Sequence, residues 1–153
     1  MTDIPRLPEV LEAMQRPRLH YRGIVCWEYA DVPLPRDWQR RSFPTWKPVL
    51  VIHLDGWPVD VPWASLTIRA NNPDRSRHRH QQDVGGFVQL VQRFTAPGAM
   101  VCDPFLGSGT TGLAALTTSR RFIGADIDRA AVASFRRSLL PAQRRQLTGT
   151  SPS

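Results

Sequence analysis

The sequence predicts an α/β fold, and three observations carry that prediction. Residues 99–140 alternate a short apolar run, a helix-like stretch, a second apolar run and an amphipathic stretch. That order is the pattern of a βαβα unit on a parallel sheet. Residues 46–54, WKPVLVIHL, form a nearly continuous apolar run of strand length, as expected of a strand buried on both faces. Residues 84–94 place Phe87, Leu90, Val91 and Phe94 at helical spacing.

In chain order, residues 7–16 read as a short helix with Pro8 near its first turn, where a missing N–H is harmless. Residues 19–29, LHYRGIVCWEY, are β-branched and aromatic and read as a strand. Residues 30–45 are a polar, Pro-interrupted connection to the 46–54 strand. Residues 55–82 read as a long irregular stretch containing NNPDRSRHRH. After the 84–94 helix, residues 95–98 are a stop and turn. A strand is then expected over 99–103, a tight loop over 104–107 and a helix of small residues over 108–117. A second strand follows over 121–126, then an amphipathic helix over 129–140 with Val132, Phe135 and Leu139 on one face. The expected organisation is one domain over residues 1–140 and a polar, flexible tail over 141–153.

The 153 residues are about one domain, and the 41% hydrophobic content suffices for one core. No apolar run is long enough to span a bilayer, and the start MTDIPRLPEV has no signal-peptide pattern. The expectation is a soluble, cytoplasmic chain with no membrane partner. Cys26 and Cys102 sit in apolar stretches without a CxxC pair, so zinc and redox motifs have no support and two reduced, buried thiols are expected. The net charge is +7, and all the cations but Lys47 are arginines. Arginine suits bidentate phosphate contacts, so the composition permits a nucleic-acid partner; a base-composition bias accounts for it equally well. Ten of the 14 prolines fall between Pro5 and Pro73, which excludes continuous helix there.

The chemistry concentrates in DPFLGSGTTG and IGADID. A nucleotide-like ligand on an α/β sheet binds outside the carboxyl ends of the strands. Such a site needs a loop that approaches the ligand closely, for which Gly107 and Gly109 are the candidates. It needs helix N–H groups aimed at the ligand, here from a helix starting near Ser108, with Thr110 and Thr111 adding hydroxyls. It also needs an acid after the next strand to hold ribose hydroxyls, for which Asp126 is the first candidate and Asp128 the second. Gly107, Gly109 and Gly112 formally match the dinucleotide fingerprint, but Asp103 just ahead of the loop would repel a pyrophosphate. A carboxylate there suits a ligand carrying an ammonium group. A Walker A loop is excluded because the Gly-Lys-Ser/Thr end is absent.

DPFLGSGTTGLAAL followed by RRFIGADID resembles the S-adenosylmethionine motif and its acidic partner in the DNA N6-adenine and N4-cytosine methyltransferases. The resemblance implies a class I methyltransferase (Rossmann-like) sheet. It implies a cofactor site lined by Asp103, Pro104, Phe105, Gly107, Ser108, Gly109, Thr110 and Thr111, with Asp126 as the ribose-binding acid. Ala125 stands where an aliphatic residue is more usual in the family. Upstream, HQQDVGGFVQLVQRF resembles the helix that closes one side of the pocket, which puts Gln81, Gln82 and Val84 near the cofactor. WKPVLVI and LHYRGIVCWEY resemble late strands of the catalytic half. Residues 7–98 would then be the remainder of that half with the pocket-closing helix, and 99–140 the cofactor-binding unit.

Enzymes of this family hold the target amino group with an Asp/Asn/Ser-Pro-Pro-aromatic motif, which no segment of this chain matches. The resemblance therefore implies no catalytic residue in this chain. It implies an incomplete sheet lacking its central catalytic strand, with two exposed edges, and a truncated or split enzyme. DNA is the implied partner, with a second chain to supply the missing motif. The implied activity is site-specific methylation of adenine-N6 or cytosine-N4 of the restriction-modification type. A non-catalytic module that binds S-adenosylmethionine or DNA is the competing reading, and a nicotinamide-dependent oxidoreductase the remote one. Arg75, Arg77, His78, Arg79 and His80 are either phosphate contacts or a solvated loop. Arg136/Arg137 and Arg144/Arg145 read as a solvated face, and His53 as a satisfied core histidine. Trp27 and Trp46 fit strand cores, while Trp38, Trp57 and Trp63 lie in loops, where packing competes with stacking on a base.

Overall fold

The structure is a computed structural model that describes residues 6–15, 18–29, 46–55, 67–71 and 82–140. The connection 30–45, most of the 55–82 stretch with its Arg/His run, Trp38, Trp57, Trp63 and Gln81, and the tail 141–153 lie outside the described residues. The chain divides into two compact units, Met1–Asn72 and Pro73–Ser153.

In the first unit, α1 (Leu7–Ala13) has Pro8 in its opening turn and ends at a Met14 C-cap, short of the expected residue 16. β1 (Leu19–Tyr29) and β2 (Trp46–Leu54) have the expected bounds and pair antiparallel, from Leu19 opposite Leu54 to Glu28 opposite Trp46. The register shifts between Tyr21 and Gly23, which leaves Arg22 as the extra residue of a bulge. A strand missing from the sequence reading, β3 (Thr67–Ala70), runs parallel to β1 and completes the order β2-β1-β3. Central β1 buries Val25 and Trp27 completely, and its neighbour β3 buries Ile68 and Ala70. The alternation in β3, with Thr67 and Arg69 exposed, lasts only four residues.

Two expectations for this unit need correction. β2 is not buried on both faces: only Pro48 is buried, and Val49 to His53 are half-buried. The reason is position, because β2 is an outer strand of its three-stranded sheet, and Pro48 is tolerated there for the same reason. His53 is not a core histidine. It is half-buried and stacks on its cross-strand partner His20, ring centroids 5.1 Å apart, and His20 pairs with Asp55.

The second unit is the expected helix followed by βαβα. Asp83 caps α2 (Val84–Phe94), its carboxylate accepting from the N–H groups of Gly85 at 3.3 Å and Gly86 at 2.9 Å. β4 (Met100–Asp103) and β5 (Arg121–Gly124) pair in parallel, joined by α3 (Thr110–Thr117). α4 (Arg129–Ser138) follows, capped by Asp128, which accepts from Ala130 N at 2.8 Å. Leu106, Ala115, Leu116, Phe122, Phe135 and Leu139 form the core, with Phe122 and Phe135 meeting edge to face at 5.7 Å. Val132 packs against this core beside Phe135 and Leu139, as the helical spacing required, while Arg136 and Arg137 are exposed.

Cys102 corrects a third expectation. Val101 and Phe122 are register partners facing the core, so the next pair, Cys102 and Ile123, faces outward, and Cys102 is exposed. Cys26 is half-buried, and its thiol pKa is raised by burial and then by the Glu28 carboxylate. Iodoacetamide at neutral pH is therefore expected to label Cys102 well before Cys26, because only thiolate reacts. Peptide mapping of a time course checks this; equal labelling rates would contradict it.

Candidate functional site

The loop between β4 and α3 is held by a short chain of backbone bonds and carboxylates. The Asp103 carboxylate accepts from Phe105 N at 3.0 Å, which folds the chain back immediately after β4. Leu106 is buried, and its N–H donates to Ala125 O at 2.8 Å, so the loop is pinned to the end of β5. Gly107 N then donates to the Asp126 carboxylate at 2.7 Å. The other oxygen of Asp126 accepts from Asp128 N at 2.8 Å, and Asp128 in turn caps α4. Gly107 and Asp126, 19 residues apart, are thus in direct contact at the carboxyl ends of the two parallel strands.

The glycines divide into two roles. Gly107 has φ +50 and open space on its Cβ side, with only Phe105 O at 3.8 Å. It is the position at which a ligand can approach the backbone. Gly109, also left-handed at φ +78, faces the ring of Phe135 on α4 instead. A Cβ at Gly112 would lie 2.5 Å from Phe135 and 2.6 Å from Phe122. Gly109 and Gly112 therefore serve the packing of α3 against α4 and β5. The left-handed turn at Gly109 also explains why α3 begins at Thr110 rather than Ser108: the chain leaves the left-handed region only after Gly109.

Ser108 and Thr110 share a hydroxyl–hydroxyl hydrogen bond at 3.0 Å, and Thr110 is buried whereas Thr111 is half-buried. Thr110 and Thr111 open α3, whose first-turn N–H groups have no partner within the helix. Beside the loop, Phe105 is 86% exposed and Ile127 is wholly exposed. Ile127 lies within IGADID but had no assigned role; its exposure next to Asp126 is what singles it out. α2 packs on α3 and begins just after Gln82 and Asp83. Among the described residues no three His, Cys, Asp or Glu side chains could hold a metal ion, and no helix is long and apolar enough to cross a membrane.

The arrangement presents the carboxylates of Asp103 and Asp126, an open glycine backbone and an exposed apolar pair. Carboxylates accept from hydroxyl and ammonium groups and repel phosphate, so the site suits a hydroxylated, cationic ligand with an apolar portion.

A family model described as DNA methylase matches residues 19–137. The type II methyltransferase M.BglII of Bacillus subtilis is 36% identical over 72 residues, which is 47% of this chain and 20% of that protein. The crystal structure of the M1.HpyAVI–SAM complex superposes with a TM-score of 0.74 at 22% identity, over 90% of this chain and 70% of that one. The cytosine-N4-specific PvuII DNA methyltransferase gives a TM-score of 0.69 at 19% identity, over 97% of this chain and 64% of that one. The fold is accordingly that of the class I methyltransferases, with a small, incomplete sheet. The family match runs from the start of β1 to the last turn of α4, and by it the chain belongs to the DNA N6/N4 methyltransferase family.

Proposed function

We propose that residues 99–140 form an S-adenosylmethionine site and that the chain is the cofactor-binding part of a DNA amino-methyltransferase acting on adenine-N6 or cytosine-N4. The observation that carries this reading is the Gly107–Asp126 contact, which sets a carboxylate beside an open loop at the ends of two parallel strands. The two Asp126 oxygens accept from Gly107 N and Asp128 N, and a carboxylate is the kind of acceptor that a ribose hydroxyl needs. The Asp103 carboxylate, with one oxygen on Phe105 N, would take the ammonium of the methionyl part. Pro104, Phe105, Gly107, Ser108 and Gly109 would line the loop side, with Thr110 and Thr111 at the helix end. The cofactor supplies an electrophilic methyl group when bound. The residues of this chain bind and orient it and keep phosphate-bearing nucleotides out.

The groups that hold the target base would come from outside these 153 residues, because the chain has no Pro-Pro-aromatic motif. A further part of the same polypeptide or a second polypeptide is the proposed source, DNA the proposed substrate and the cytoplasm, where free thiols persist, the proposed location. Residues 1–140 would act as one methyltransferase domain of a site-specific, restriction-modification type enzyme. Calorimetric titration of S-adenosylmethionine into the purified chain tests the cofactor reading. Saturable one-to-one binding with no heat from NAD is expected. Absence of binding by a chain with native ellipticity would sink it. Cofactor binding without methyl transfer to DNA, even with the partner supplied, would favour a non-catalytic binding module.

A further inference from the structure

One buried cation takes no part in the proposed site. Arg120 lies between α3 and β5 and is 7% exposed. Its Nε donates to Thr95 Oγ1 at 3.1 Å, Nη2 to Thr95 O at 2.5 Å and Nη1 to Thr118 O at 2.5 Å. Thr95 is the C-cap of α2, and Thr118 is the C-cap of α3. One guanidinium therefore closes the carboxyl ends of two helices, where the helix dipoles favour a cation. Around it, Gly98 N donates to Ser119 O at 2.8 Å and Arg121 N to Ala99 O at 2.9 Å, so the exit of α2 is stitched to the turn after α3.

This fixes the direction of both helices. They pack on each other and share an anchor at their carboxyl ends, so their amino ends lie on the same side. That side carries the Gly107 loop, because α3 rises directly from it. At 1.5 Å per residue, the 11 residues of α2 reach about 16 Å from the anchor and the 8 of α3 about 12 Å. For two helices laid side by side, this length is enough to bring the capped first turn of α2, Asp83 to Gly86, to the level of the loop.

We infer that Arg120 is a positioning residue for the cofactor pocket, acting through α2. It rests on the proposed S-adenosylmethionine reading. The planar fork of arginine holds two carbonyls and a hydroxyl at once, and lysine, a single compact charge, cannot span them. Without the fork, the first turn of α2 drifts relative to the loop while α3, β4, β5 and α4 keep their own core.

The test is the affinity for S-adenosylmethionine of the full chain and its variants, measured well below each melting temperature so that the folded fraction is near one. Arg120→Met is expected to weaken binding by about tenfold, within the range usual for coupling between sites. Arg120→Lys is expected to fail to rescue it, and Thr95→Val, which removes one of the three bonds together with the bond from Thr95 Oγ1 to Val91 O, to give a smaller loss. Leu139→Ala lowers the melting temperature from the α4 side of the core and is expected to leave affinity unchanged. If wild type binds and both Arg120→Met and Thr95→Val bind equally well, the inference is overturned, because Arg120 then contributes to stability only. Should Arg120→Met fail to fold, Thr95→Val decides alone. If wild type itself does not bind, the cofactor reading fails, and that outcome is distinct.

Discussion

Phe135→Ala is expected to destabilise the second unit by about 3–5 kcal/mol, the usual cost of emptying an aromatic site in a core. Phe135 is 5% exposed, meets Phe122 edge to face, and its ring covers the spaces left by Gly109 and Gly112. A loss of that size is a large share of the ~5–15 kcal/mol that holds an ordinary domain together. The readout is urea denaturation followed by ellipticity at 222 nm, to which α2, α3 and α4 contribute. Tryptophan fluorescence would not serve, since all five tryptophans precede Asn72, in the first unit. The glycine assignment gives a sharper version. Gly109→Ala carries about 1–2 kcal/mol of left-handed backbone strain plus the clash with Phe135. In the Phe135→Ala background the clash is gone and only the strain remains. A double-mutant cycle should therefore show coupling. Additive costs would mean that Gly109 does not serve the packing of α4.

That cycle bears on how much was legible in the sequence. The elements with strong periodicity or motif content were readable: β1 and β2 to the residue, α2 from Phe87, Leu90, Val91 and Phe94, and the βαβα order from Met100 onward. β3 was not, because Ile68 and Ala70 make only two inward positions in a proline-rich stretch, too few to signal a period of two. Burial was read less well than element type. β2 looks like a central strand by composition and is an outer one, and Cys102 looks buried by its apolar neighbours although its register with Ile123 turns it outward. Within the site, the contact of Asp126 with the loop could be anticipated from the position of an acid after the second strand. The division of labour among the glycines could not, since a string of letters does not say which glycine faces a ring and which faces open space. The role of Arg120 was invisible for the same reason: it opens the RRFIGADID stretch, but only tertiary structure shows that its three bonds join two helix ends.

Asp126→Ala is expected to reduce affinity for S-adenosylmethionine by roughly 10²–10⁴-fold, the equivalent of two charged hydrogen bonds at about 1.5–3 kcal/mol each. The alternative role for this residue is structural. Its two oxygens accept from Gly107 N and Asp128 N, so it could be a clip that shapes the loop without touching a ligand. Alanine alone does not separate the two, because it removes the clip as well. Asp126→Asn does. The amide keeps the size of the side chain and one carbonyl acceptor for a backbone N–H, and loses the charge. A ribose-binding acid predicts a clear loss of affinity in the asparagine variant, on the order of 10–100-fold for a charged bond made neutral and a donor placed where an acceptor is needed. A clip predicts a lowered melting temperature with affinity nearly intact. Asp128→Ala supplies the internal control. Its carboxylate is committed to capping α4, so its loss should cost about 1 kcal/mol of stability and leave affinity alone. If Asp128→Ala weakens binding more than Asp126→Asn does, the ribose-binding role belongs to the second carboxylate, and the geometry at Gly107 is a support for it rather than the site itself.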